Sequence, residues 1–138
     1  MRGMKLLVAA LALTFAAGAI GEDAKAPAAP EVKRNILDRH DQSGVDGKEI
    51  VVGTAEFPKG GVIGYHTHDG DEAGYVLKGE LVWRVKGQPD KTLKAGDHFF
   101  NPRGSAHSLI AAPGGEGGTS YSTWIIDKGK PLATPVKD

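Results

Sequence analysis

From Val32 onward the apolar residues of this chain come in short runs, and none sustains the 3.6-residue period of an amphipathic helix. Residues 50–57, 62–68, 74–77, 80–85, 91–93, 98–101, 106–111 and 121–126 are each of strand length and rich in Val, Ile, Leu, Phe, Tyr and Trp. Between them lie stretches built from Gly, Pro, Lys and Asp: residues 57–61, 86–90 and 113–118. Many short strands separated by turns predict an all-β sandwich or barrel. No repeat of the kind that builds a solenoid is present.

The 138 residues leave room for one domain. Arg2 and Lys5 make a basic start, residues 6–20 are apolar or small apart from Thr14, and Ala17-Gly18-Ala19 supplies a small-x-small site. That layout predicts a cleaved signal peptide over residues 1–19 and a periplasmic or secreted protein. A membrane anchor is the competing reading, but a span takes roughly 20 apolar residues, and Glu22 and Asp23 cut the run short. Residues 20–31, with Ala-Pro-Ala-Ala-Pro, read as a flexible linker. Residues 32–138 then form the β-barrel domain, its tail from Asp127 an extended arm with Pro131 and Pro135 that lies over the surface or on a partner subunit.

Charge and cysteine usage narrow the function classes. Lys and Arg number 17, as do Asp and Glu, and loss of Arg2 and Lys5 leaves 15 against 17, about −2. No basic stripe remains, so nucleic acid and anionic membrane are not expected partners. With no cysteine there is no disulfide, thiolate nucleophile, cysteine zinc site or lipoprotein anchor.

Of five histidines, His66 and His68 stand two apart, so a strand presents them on one face, which Val62 and Gly64 are expected to share. Glu72 follows across Asp69-Gly70-Asp71, a composition suited to a tight turn that returns Glu72 toward the imidazoles. His107 is remote in sequence and can join only from a distant strand.

Residues 60–79 read Gly-x5-His-x-His-x3-Glu-x6-Gly, and from Gly96 the chain reads Gly-x5-Pro-x-Gly-x2-His, ending at His107. In order and 16 residues apart, these resemble the two sequence motifs of the cupin superfamily. The resemblance covers roughly residues 51–126 and implies a cupin jelly-roll β-barrel, or double-stranded β-helix, often homodimeric. It also implies that His66, His68, Glu72 and His107 hold one divalent transition metal: Mn, Fe, Ni, Cu or Zn. Four protein ligands on a six-coordinate ion leave two open positions, as a catalytic site needs. One departure is Ala111, where the second motif usually has Asn.

Three functions stay open on that basis. The first is oxidation of a small organic substrate in the manner of quercetin dioxygenase-like cupins, with Glu72 as both ligand and base. The second is a redox-neutral isomerase, lyase or decarboxylase, and the third a non-catalytic binder of metal or small molecules. Lesser candidates are His98 as a pocket acid or base and Arg103 at the barrel mouth. Trp83 reads as barrel core, Trp124 as pocket wall or core, and Asp97 as a turn cap. His40 reads as solvated, and Tyr65 and Tyr75 as pointing away from the imidazoles.

Overall fold

The computed structural model describes residues 26–137, so the expected signal peptide and the first part of the linker lie outside the described residues. Residues 26–32 have no regular structure. The strands that follow are β1 (Lys33–Asp41), β2 (Lys48–Phe57), β3 (Val62–Thr67), β4 (Gly70–Val85), β5 (Lys91–Lys94), β6 (His98–Asn101), β7 (His107–Ala111), β8 (Gly118–Asp127) and β9 (Thr134–Pro135). No helix occurs among the described residues, as the apolar pattern predicts.

Every pairing is antiparallel, in the order β1-β2-β8-β4-β7-β3-β9, with β5 and β6 also on β4. The first half of β4 pairs with β6 and β8, and its second half with β5 and β7. One strand thus belongs to both walls of a curled jelly-roll. The sequence reading had two strands here, 74–77 and 80–85. They join because Gly79, at φ 74°, absorbs the change of course as a register irregularity near Val76 and Lys78 rather than as a turn. The expected turn at Asp69-Gly70-Asp71 shrinks to a bend at Asp69, with Gly70 already in β4. A Cβ on Gly70 would collide with the Ile125 carbonyl oxygen, so only glycine lets β4 pass β8 this closely.

Strand β1 had no counterpart in the sequence reading. It is an outer strand that pairs only with β2 and is exposed along nearly its whole length, with Ile36 and Leu37 as its apolar residues. Among the described residues nothing covers it, so the burial that would have imposed alternation is missing.

One end of the barrel is filled by Phe57, Val76, Leu81, Leu93, Phe99, Leu109 and Ala111. Burial of such side chains stabilises by about 1.5–3 kcal/mol each for the larger ones. Ala111 lies opposite Leu81 on β4 in this packed end, where the motif's Asn would be an amide among hydrocarbons. The other end is left hollow. Phe99 roofs that junction, its ring lying where a Cβ on Gly74 would be, 2.0 Å from Cζ.

Gly74→Ala is therefore expected to displace Phe99 and cost about 1–3 kcal/mol. Urea denaturation would measure it; an unchanged midpoint would mean that Phe99 does not need the missing Cβ.

Candidate metal centre

Each functional side chain is delivered by a different part of the barrel wall. His66 lies near the end of β3, His68 just beyond it, Glu72 near the start of β4, and His107 at the first position of β7. His66 and His107 are direct cross-strand partners. The three ring centroids stand 4.3–4.9 Å apart, and the ligand-capable nitrogens lie within 4.8 Å of one another. All four residues line a cavity of about 280 Å³ in the hollow end of the barrel.

The face-sharing expected from parity fails at one place. Between Ile63 and His66 the β3–β7 register slips, so Ile63 joins His66 and His68 in the cavity wall, while Val62 is 47% exposed. Gly64 does not line the cavity; its carbonyl oxygen meets His66 Nδ1 at 2.8 Å. The bulge spends one residue to swing the imidazole inward.

Every imidazole is held in the same way. His66 Nδ1 meets the Gly64 carbonyl at 2.8 Å, His107 Nδ1 the Ser105 carbonyl at 2.9 Å, and His68 Nδ1 the Leu132 carbonyl at 2.5 Å. A carbonyl only accepts, so the hydrogen of each neutral ring sits on Nδ1 and Nε2 keeps a bare lone pair. Trp124 Nε1–H donates to His68 Nε2 at 3.3 Å, which requires that lone pair.

Glu72 faces these lone pairs. Its Oε2 lies 3.1 Å from both His68 Nε2 and His107 Nε2. The His107 pair does not meet in hydrogen-bonding geometry, and His107 Nε2 is buried without a partner. Bare nitrogens packed against a carboxylate oxygen repel unless positive charge lies among them. Two donors about 2.1 Å from one ion, at right angles, stand about 3 Å apart. The donor set and its spacing therefore fit a divalent transition ion.

Burial works to raise Glu72; the His107 and His68 imidazoles lower it only where an N–H or positive charge is turned toward it, and with the Ser122 hydroxyl the balance then lies below the usual carboxylate range. Burial pushes His66 down to about 4, against the weaker upward pull of the Gly64 carbonyl.

Sequence reasoning missed the residue that fixes Glu72. Asn101, 1% exposed, is its cross-strand partner on β6, and Asn101 Nδ2 donates to Glu72 Oε2 at 2.8 Å. Trp83 Nε1–H donates to Asn101 Oδ1 at 2.9 Å. An indole can only donate, so the amide orientation is settled and its NH2 must face the carboxylate. The available signal was Asn101's inward parity with Phe99 directly before the motif's Pro102. The Leu132 carbonyl is a backbone group and leaves no such signal.

Other candidates lie elsewhere. His98 is exposed opposite Tyr75, which is 44% exposed, and His40 is exposed on β1. Tyr65 is absent from the cavity wall and carries the Lys86 ammonium 5.2 Å from its ring centre. The Arg103 guanidinium is engaged by both oxygens of Asp127 at 2.8 and 2.9 Å, and Asp97 caps its turn through the Lys94 N–H. Both tryptophans line the cavity while making the hydrogen bonds above.

The family model described as Cupin domain matches residues 53–121. Over 52 residues the chain is 35% identical to the dimethylsulfoniopropionate lyase DddQ of Ruegeria pomeroyi, a stretch that is 38% of this chain and 26% of that protein. The crystal structure of that lyase aligns with a TM-score of 0.60 and 20% identity over 75% of this chain and 50% of that one. An oxalate-binding protein of Thermotoga maritima is 40% identical over 55 residues, 39% of this chain and 45% of that protein. An RmlC-like cupin from Shewanella frigidimarina aligns with a TM-score of 0.56 and 28% identity, over 71% of this chain and 78% of its own. The matched stretches thus span about a quarter and under half of the two curated relatives.

Asn101→Leu removes the donor to Glu72 and strands the Trp83 N–H, a loss of about 1–3 kcal/mol. It is also expected to weaken metal affinity about 10- to 100-fold. Thermal denaturation and a metal titration would measure the two, and unchanged affinity would deny Asn101 its orienting role.

The low value of His66 has a signed consequence for the metal-free protein. Its folded pKa lies below the unfolded 6.5, so between those values the unfolded chain binds more protons. Stability is fully present above about pH 6.5 and falls as pH drops toward 4, by on the order of 3 kcal/mol. Melting scans of the wild type and His66→Asn across that range should diverge; parallel curves would rule the effect out.

Proposed function

The chain belongs to the cupin family, and on that premise we propose that it is a metal-dependent enzyme acting on a small organic substrate inside the barrel. His66, His68, Glu72 and His107 would hold one divalent ion: Mn, Fe, Ni, Cu or Zn. The observation that carries the reading is the buried, unpartnered His107 Nε2 facing Glu72 Oε2 at 3.1 Å. When bound, the ion supplies Lewis-acid polarisation of a substrate oxygen or, if redox-active, oxygen chemistry.

The protein's own groups set the conditions. Ile63, Trp83, Phe99, Leu109, Trp124 and Leu132 give the cavity an apolar wall, which excludes water and strengthens every charge interaction within. Nδ1 bonds to the Gly64, Leu132 and Ser105 carbonyls hold the rings without calling on Nε2. Glu72 is the one carboxylate in the cavity wall among the described residues, so it would serve as the anionic ligand and as the carboxylate to which a substrate proton passes.

Apart from these four groups, no Lys, Tyr, Asp or second Glu lines the cavity among the described residues. The wall thus offers no separate general base, which favours a quercetin dioxygenase-like oxidation as the reaction. A redox-neutral elimination is the second reading, favoured by the 35% identity to a lyase over 52 residues.

Export is supported by the composition of residues 1–19, with a mature chain starting at Ile20. A homodimer is supported by Tyr75, Leu77, Phe100 and Ile125, apolar and 40–50% exposed on the strands β4, β6 and β8.

Protein taken from the periplasmic fraction is expected to begin at Ile20 by intact mass, sediment as a dimer, and carry about one transition ion per chain. His107→Ala should lose that ion. Loss of turnover under nitrogen would identify the oxygenase, and undiminished turnover the redox-neutral enzyme. Absence of metal from the wild type after reloading would reject the reading as a whole.

A further inference from the structure

The cavity has a second charged pole that the imidazole cluster does not use. Arg34, on β1, lines it together with Ile36. It is the sole Lys or Arg among the lining residues, and Glu72 is the sole acid. Among the described residues the Arg34 guanidinium makes no ion pair or side-chain hydrogen bond. The other β1 cations do: Lys33 meets Glu56, and Arg39 meets Glu49.

Strand register places this pole. Arg34 lies opposite Ala55 on β2, and Ala55 opposite Ser120 on β8. That is two strand spacings, about 10 Å, across the cavity-facing side of the sheet. Trp124, partner of Glu72, lies four residues farther along β8, about 13 Å. Between the poles Ile36 and Trp124 meet over the bare backbone of Gly53, with Ala55, Ser120 and Ser122 beside them in the cavity wall. A Cβ there would stand 3.3 Å from the Trp124 ring and 3.5 Å from Ile36 Cδ1.

The charges of this cavity do not balance. With a divalent ion held by three neutral imidazoles and Glu72, one positive charge is left at the closed end and Arg34 adds another at the mouth. No second acidic side chain lines the wall to meet either. At the buried end an uncompensated charge is costly and favours an anion, while Arg34, exposed on β1, offers a solvent-facing cation beside the cavity.

We propose that the pocket takes a small organic diacid with an apolar spacer, one carboxylate directed to the metal end and the other read by Arg34. This rests on the metal-centre reading above and adds to it a substrate class and a specificity residue. A planar guanidinium suits the second carboxylate because it offers two parallel N–H donors. The spacer would lie along Ile36, Ala55 and Trp124. A neutral group in place of the far carboxylate would forgo the Arg34 contact while keeping everything else.

The test uses metal-loaded protein and calorimetric titration with glutarate, adipate, pimelate and suberate, each beside its monomethyl ester. Wild type is expected to prefer at least one diacid to its half-ester. Arg34→Gln should weaken that diacid about two- to fivefold, the range for a solvent-facing ion pair, and leave the half-ester unmoved. Arg34→Lys should restore part of the preference, and metal content should be equal in all three proteins. Equal binding of every diacid and its half-ester, no diacid binding, or a uniform loss in Arg34→Gln would overturn the assignment while the metal centre stood. Failure of the wild type to retain metal would instead remove the reading beneath it.

Discussion

Three bonds from imidazole Nδ1 atoms to backbone carbonyls order the hollow end of this barrel. They satisfy the one hydrogen each neutral ring carries, so the remaining lone pairs converge on a shared space with a carboxylate. Where they are buried, as at His107 Nε2, that convergence is costly, since bare acceptors facing a carboxylate oxygen repel. The same cost makes the space a receptor for a cation. The protein forgoes stability at this end so that little needs rearranging when charge arrives.

Strand β4 carries the plan of the barrel in one piece. It brings Glu72 under Trp124, Gly74 under Phe99, and Trp83 up to Asn101. The change of course near Val76 and Lys78 lets those residues serve two walls. Packing at the filled end and polar order at the hollow end are thereby coupled, because Phe99 and Leu109 belong to both.

What could be read from sequence follows from what is local. The four side chains that converge in the cavity were legible because their spacing matches a pattern, and seven of the nine strands among the described residues because burial imposes alternation on them. Parity failed at Val62 and Gly64, since a bulge changes facing without changing composition. Strand β1 escaped because it is exposed along nearly its whole length among the described residues, and with it went Arg34. Asn101 was passed over because its role arises from Glu72 and Trp83, which lie 29 and 18 residues away and become neighbours only on folding.

The carbonyl that orients His68 belongs to Leu132, 64 residues downstream, in the tail that adds β9 to the edge of β3. A growing chain has His66, His68, Glu72 and His107 once His107 is made, yet it lacks this carbonyl until Leu132 follows. Until then the His68 ring is free to turn and offer either nitrogen. Placement of that imidazole therefore waits on a segment 64 residues downstream, which must be made and laid along β3 before the ring is fixed.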